Sequence, residues 1–257
     1  MLSRAEEKLI IGLSRRRRRE AERLFLAEGV RVVEELLVAG LAPRLTVVAP
    51  ALHDTQRGEE LARRLTAHTE VRQVSDTVLR RLASTQTPQG VLVVAETPSA
   101  ELRELRPDAG ATALVLDGVQ DPGNIGTLTR TAAAFGCELL VALPGTADPW
   151  SPKSVRASAG ALFRLPVAQE GVAPAWDWFS RHGFTVLGAE AHGQPISAGA
   201  RSGPAALVVG NEGAGLSADV RERCHRLVSV PMRGSAESLN VAVAAAILIY
   251  ELTRELG

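Results

Sequence analysis

Three stretches in the second half of the chain gather residues that could bind and orient a small ligand. The first is Asp117-Gly118-Val119-Gln120-Asp121-Pro122-Gly123-Asn124-Ile125-Gly126, with Arg130 shortly after it. The second is Val209-Gly210-Asn211-Glu212-Gly213-Ala214-Gly215-Leu216. The third runs from Val230-Pro231-Met232-Arg233-Gly234 through Ser235-Ala236-Glu237 to Ser238-Leu239-Asn240, at the mouth of the apolar run Val241 to Tyr250. Each leaves an apolar strand-like run, passes through small residues and enters a helix-like one. Glycine and proline at such junctions let backbone approach a ligand closely and leave main-chain donors and acceptors free to bind it.

Several chemistries lose ground on these residues. Gly210-Asn211-Glu212-Gly213-Ala214-Gly215 is not the G-x-G-x-x-G dinucleotide fingerprint, no Walker lysine follows any of the loops, and no G-x-S-x-G elbow occurs. That counts against an oxidoreductase, a nucleoside triphosphatase and a serine hydrolase. No His, Cys and carboxylate cluster has ligand spacing, so no metal is expected. Cys137 and Cys224 form no pattern and read as small buried residues in a reducing compartment. Two basic groups suit a polyanion: Arg15, Arg16, Arg17, Arg18 and Arg19 in succession, and Lys153 with Arg156 on one helical face. Arginine pairs well with phosphate; the alternative for the run is a solvated helix end compensated by Glu20 and Glu22.

The elements that must position these residues follow from patterning. The 257 residues are 46% hydrophobic and 23% charged, with zero formal net charge, an ordinary globular composition with no overall field favouring nucleic acid. The charged N-terminus is no signal peptide, and Val241 to Tyr250 is half the length of a bilayer span; a soluble, cytoplasmic protein is expected. Residues 1–106 read as a small α/β sandwich, with strands at 24–26, 45–48, 71–74 and 90–95 between helices. Thr97-Pro98-Ser99 and Pro107-Asp108-Ala109-Gly110 mark a linker, and residues 107–257 alternate again. Strands at 113–119, 138–143, 163–167, 185–190, 205–210 and 227–230 alternate with helices from Gly126, Ser151, Ala173, Leu216 and Ser238. Ala113–Leu116 and Ala205–Val209 are apolar on both faces, as buried parallel strands are. The expectation is a doubly wound sheet with ligands at the carboxyl ends of its strands.

Taken together, the three stretches resemble the motifs of the SpoU family of RNA ribose 2′-O-methyltransferases, of the SPOUT class, in order and at compatible spacing. One departure is Ala242, where the family commonly has serine. Arg31-Val32-Val33-Glu34-Glu35 and Thr85-Gln86-Thr87-Pro88-Gln89-Gly90-Val91 resemble, more weakly, the family's ribosomal-protein-like RNA-binding extension.

The resemblance implies an α/β fold with a deep trefoil knot, against the usual rule for chains. It also implies S-adenosyl-L-methionine as cofactor, RNA as substrate (ribosomal more than transfer RNA) and a homodimer. Carried over residue by residue, Gly210, Asn211, Gly215, Val230 and Leu239 would hold the cofactor, with Ala189 and Glu190 beside it. Met232, which alone reads as core filler, would lie against the adenine. Arg130 would be essential for catalysis, as base or by orienting the ribose. Asn124 and Asn240 would orient ribose or arginine, Glu212 would fix geometry, and Ser238, which can also cap the last helix, would stand with them and Arg130 as the catalytic residues. The alternatives are an RNA-binding assembly factor without turnover, or the same chemistry on transfer RNA.

Overall fold

The computed structural model describes residues 2–98, 100–196, 203–234 and 238–254. Ser99 of the expected linker, and Ser235, Ala236 and Glu237 of the third stretch, lie outside them. In chain order the first elements are α1 (Arg4–Gly12), α2 (Arg16–Glu22), β1 (Leu24–Glu28), α3 (Val30–Val38), β2 (Pro43–Val48), α4 (Gln56–His68), β3 (Val71–Gln73), α5 (Asp76–Leu82) and β4 (Val91–Glu96). Then come β5 (Thr112–Asp117), α6 (Pro122–Ala134), β6 (Leu139–Ala142), α7 (Pro152–Ala157), β7 (Val167–Gln169) and α8 (Val172–Arg181). β8 (Thr185–Pro195), β9 (Ala205–Gly210), α9 (Ala218–Arg223), β10 (Arg226–Ser229) and α10 (Val241–Thr253) complete the chain.

These elements form two compact units, Met1–Pro98 with Trp150–Arg164, and Ser99–Pro149 with Leu165–Gly257. The expected single division near residue 106 therefore differs in two ways. Leu102, three per cent exposed, already packs in the core of the second unit, so the change comes earlier. Residues 150–164 join the first unit because alternate residues of a strand face opposite sides. Leu24 and Leu26 point into a core with Ile10, Leu13, Val47 and Val94. Phe25 points the other way, with the rings of Trp150 and Phe163 at 4.9 and 5.5 Å, within the range of favourable aromatic pairs. Phe163 sits in a 3₁₀ turn rather than the expected strand, which shortens to β7. The sheet of this unit runs β1-β4-β2-β3, with only β2 and β3 parallel.

The second unit carries six strands in the order β10-β8-β9-β5-β6-β7, every neighbouring pair parallel. β5 and β9 lie side by side at its centre, buried at every position, which is why their sequences do not alternate. The order reverses direction after β7, and such a switch leaves a crevice at the carboxyl ends. Trp178, Phe179 and Phe184 fill the core under the sheet.

Candidate active site

α6 begins at Pro122, four residues earlier than glycine spacing suggests. Asp121 is its N-cap, accepting from the Gly123 N–H, and Pro122 at the first position has no N–H to leave unsatisfied. Asn124 therefore stands in the first helical turn rather than in a loop. α10 begins at Val241, and its cap is Asn240, not Ser238: Asn240 Oδ1 accepts from the Ala242 and Val243 N–H groups at 2.9 and 3.4 Å.

That cap sets the direction of a chain of hydrogen bonds. With Oδ1 occupied, the Asn240 amide turns its Nδ2 outward and donates to Asn124 Oδ1 at 3.2 Å. Asn124 Nδ2 then donates to Glu212 Oε1 at 2.9 Å. Glu212 also accepts from the N–H groups of Gln120 at 3.1 Å and Asp121 at 3.2 Å. Partial burial raises the carboxyl pKa of Glu212, but the bonds from Asn124, Gln120 and Asp121 outweigh it and hold the group below its ordinary value. The anion also sits beside the N-terminus of α6, which favours it further. An ionised carboxylate with three donors is a poor proton acceptor, so Glu212 positions Asn124 and ties the second stretch to the first.

The sign of the pH effect follows. A carboxyl whose folded pKa is lowered contributes stability above its unfolded value and loses it as pH falls through the folded value. Glu212→Gln is expected to lower Tm more at neutral pH than well below about 4.3, the ordinary glutamate value. Thermal melts across that range check this; a pH-independent difference would remove the charged role of Glu212.

The Asn211 loop is closed on itself. Asn211 and Gly215 exchange main-chain hydrogen bonds at 2.9 Å, and Asn211 Oδ1 accepts from the Gly213 and Ala214 N–H groups, both at 2.9 Å. Asn211 Nδ2 donates to the Gly118 carbonyl at 2.9 Å. Buried Asp117 receives the Ser217 N–H at 2.6 Å.

These loops wall a cleft of about 590 Å³ on the carboxyl side of β8, β9 and β10. Ala189, Glu190, Gly210, Asn211, Gly215, Val230, Met232 and Leu239 all line it, as do Glu212, Ser238 and Asn240. Leu216 and Val241, which border the second and third stretches, give the cleft apolar surface, and so do Val228 and Leu248, which read as core in sequence with nothing to mark them otherwise. Glu190 is held by a forked ion pair to Arg221, at 3.0 and 3.2 Å. Cys224, half-buried, donates to the Val220 carbonyl; burial, with Asp117 and Glu190 nearby, pushes its thiol up to about 11, so it stays protonated and unreactive.

Arg130 is not among the cleft residues. It lies on the exposed face of α6 with Thr127 and Ala134 and makes no hydrogen bond or ion pair among the described residues. The basic run divides. Arg19 is five per cent exposed and donates to the Leu13 carbonyl at 2.7 Å, closing the end of α1, so its expected RNA contact is corrected: the guanidinium is spent internally. Arg16 and Arg18 pair with Glu20 and Glu22 one turn on, both at 2.7 Å, while the side chains of Arg15 and Arg17 have no partner among the described residues. Arg156 belongs to the first unit and donates to Ser84 Oγ at 3.0 Å; Lys153, on the same short helix, is exposed. Among the described residues no group of three or more His, Cys, Asp or Glu could hold a metal ion.

Fold and cleft together define an α/β protein with a cleft of small-ligand size walled by glycine-rich loops at the carboxyl ends of parallel strands. The profile of the SpoU rRNA Methylase family matches residues 111–250, and that of the MRM3-like substrate binding domain matches residues 7–93. The chain belongs to the SpoU rRNA methylase family. It is 36% identical to the 23S rRNA (guanosine(2553)-2'-O)-methyltransferase RlmP of Bacillus subtilis, over 93% of this chain and 92% of that one. It is 34% identical to the 23S rRNA (uridine(2479)-2'-O)-methyltransferase of Streptomyces viridochromogenes, over 96% and 87%. Among solved structures it superposes on the AdoMet-bound SpoU methyltransferase AviRb of Streptomyces viridochromogenes with a TM-score of 0.87, 29% identity and 99% and 98% coverage. The AdoMet-bound rRNA methyltransferase of Sinorhizobium meliloti gives 0.86, 31%, and 100% and 97%.

Proposed function

We propose that the protein transfers a methyl group from S-adenosyl-L-methionine to a ribose 2′-hydroxyl of ribosomal RNA. The single observation that carries this is that the second and third motifs wall one cleft with the end of β8, while Asn124 of the first motif is tied to them by the directed hydrogen-bond chain from Asn240 to Glu212. The cleft fits the cofactor: main-chain groups of residues 210–215 stand beside the apolar surface of Val230, Leu239 and Leu248, the pairing that an adenosine with a polar tail requires. When bound, the cofactor supplies an electrophilic methyl carbon on a sulfonium.

The chain's own residues have the complementary task. A ribose hydroxyl is a poor nucleophile and reacts only when held in line and polarised. The Asn240–Asn124–Glu212 chain fixes the amides that face it. Arg130, an exposed cation without a partner among the described residues, stands on the same helix as Asn124 and orients the ribose and its phosphate. Mapping 2′-O-methyl sites in cellular ribosomal RNA with and without the gene tests the reading; identical maps would overturn it. A cytoplasmic location belongs to the same proposal.

The trefoil threading and a homodimer also belong to this reading. α10 is apolar almost all round, and a helix of that kind needs cover on every side. One side packs on α6 and β9, while Val243, Ile247 and Tyr250 stand exposed on the other beside Phe135, whose ring lies 5.8 Å from that of Tyr250. A second copy covering this stripe accounts for it. Ile247→Asp is expected to yield monomers in light scattering at micromolar concentration; an unchanged oligomeric mass would place any interface elsewhere.

A further inference from the structure

A second cavity, of about 300 Å³, lies wholly within the first unit, at the end of β1, the first turn of α3, the loop before β4 and α7. At its base the Glu28 carboxylate is buried and saturated. Ser84 donates to it from its N–H at 2.8 Å and its hydroxyl at 2.6 Å, and Thr85 from its N–H at 3.3 Å and its hydroxyl. Gln89 Oε1 accepts from the Val30 N–H at 2.9 Å at the start of α3, which leaves the Gln89 amide nitrogen as a donor without an acceptor among the described residues. Arg31 and Thr87 have no side-chain partner among the described residues either. Arg156 spends one N–H on the Ser84 hydroxyl and makes no other side-chain bond among the described residues. The cavity thus offers two guanidinium groups, an amide and a hydroxyl, while its one carboxylate is already occupied.

We propose that this cavity is a phosphodiester subsite for the RNA substrate, with Arg31 and Arg156 holding one phosphate and Gln89 and Thr87 meeting oxygens of the adjoining backbone. The proposal rests on the reading of the chain as an RNA methyltransferase. Three observations favour backbone over base. The excess of donors matches an anion that only accepts. None of the described lining residues is aromatic, so a base has nothing to stack on. The volume is at the low end of small-ligand sites, enough for about a nucleotide and far too small for a duplex. Contacts of this kind position RNA without reading its sequence. The rings of Trp150 and Phe163 on Phe25 flank α7 and pack the segment that carries Arg156 in this unit, where it lines the cavity together with Arg31.

The test is binding of fluorescent polyuridylate to the full-length protein across a potassium chloride series. Arg31→Ala is expected to weaken binding about ten-fold at low salt and to make the slope of log affinity against log salt shallower by about 0.7, one single-strand phosphate contact. Arg156→Ala should behave alike, and Arg64→Ala, which removes an exposed cation of α4 in the same unit, should change affinity less than about two-fold. Wild-type affinity and slope in both cavity variants, or an equal loss in Arg64→Ala, would overturn the proposal. Calorimetry with S-adenosylmethionine on the same proteins separates the two readings: a wild-type protein that does not bind the cofactor sinks the enzyme reading, whereas intact cofactor binding with indifferent cavity variants sinks the subsite alone.

Discussion

Arg130→Ala is expected to cut methyl transfer about a thousand-fold while leaving Tm and cofactor affinity near wild type. The size follows from the proposed role, in which a cation holds and polarises a weak nucleophile, a contribution of about two to four orders of magnitude. In free energy it is about 4 kcal/mol of transition-state stabilisation. The selectivity follows from the structure: Arg130 is exposed, has no partner among the described residues and does not line the cleft, so truncation leaves no cavity and no unpaired buried group. Arg130→Lys keeps the charge but loses the planar fork, and should stay well below wild type. Single-turnover transfer to ribosomal RNA, read beside calorimetry with the cofactor, measures both halves. Full activity in the alanine variant would remove Arg130 from the mechanism.

Gly210→Ala should abolish useful cofactor binding. A Cβ at residue 210 would lie 2.3 Å from both the carbonyl carbon and oxygen of Gly215 and 2.5 Å from the Leu216 nitrogen, all of them backbone atoms. The loop cannot yield cheaply, because Asn211 and Gly215 lock it with reciprocal main-chain bonds and the Asn211 side chain adds three more. Displacing it moves one wall of the cleft and pulls Glu212 away from Asn124. A hundred-fold loss of affinity, about 2.8 kcal/mol, is expected by calorimetry, with overpacking lowering stability by about 1–3 kcal/mol as well. Gly213→Ala is the matched control: its Cβ would meet only Asn211 Oδ1, at an ordinary 3.6 Å. Should both variants bind alike, the loop is not the cofactor's wall.

Much of this was legible in the residues themselves. The doubly apolar runs at 113–116 and 205–209 specify central parallel strands, because only a sheet covered on both faces tolerates them. Glycine and proline spacing marks the three loops, since only small residues allow so close an approach of backbone. Of the residues assigned to the cofactor, Gly210, Asn211, Gly215, Val230, Met232 and Leu239 come from the second and third of those loops and Ala189 and Glu190 from β8, and one cleft gathers all of them.

What the tertiary structure alone decided concerns pairings between distant residues, which no local period encodes. Phe25 recruits residues 150–164 into the first unit across more than a hundred positions of sequence. Asn240 rather than Ser238 caps α10, and that choice orients Asn124 and Glu212 through a chain that becomes visible only once α6 and α10 lie side by side. The arginine run is five equal charges in sequence. Folding spends Arg19 on the end of α1 and sets Arg16 and Arg18 against glutamates, because helical geometry, not composition, decides which cations face inward, which meet a carboxylate one turn away and which stay open to solvent.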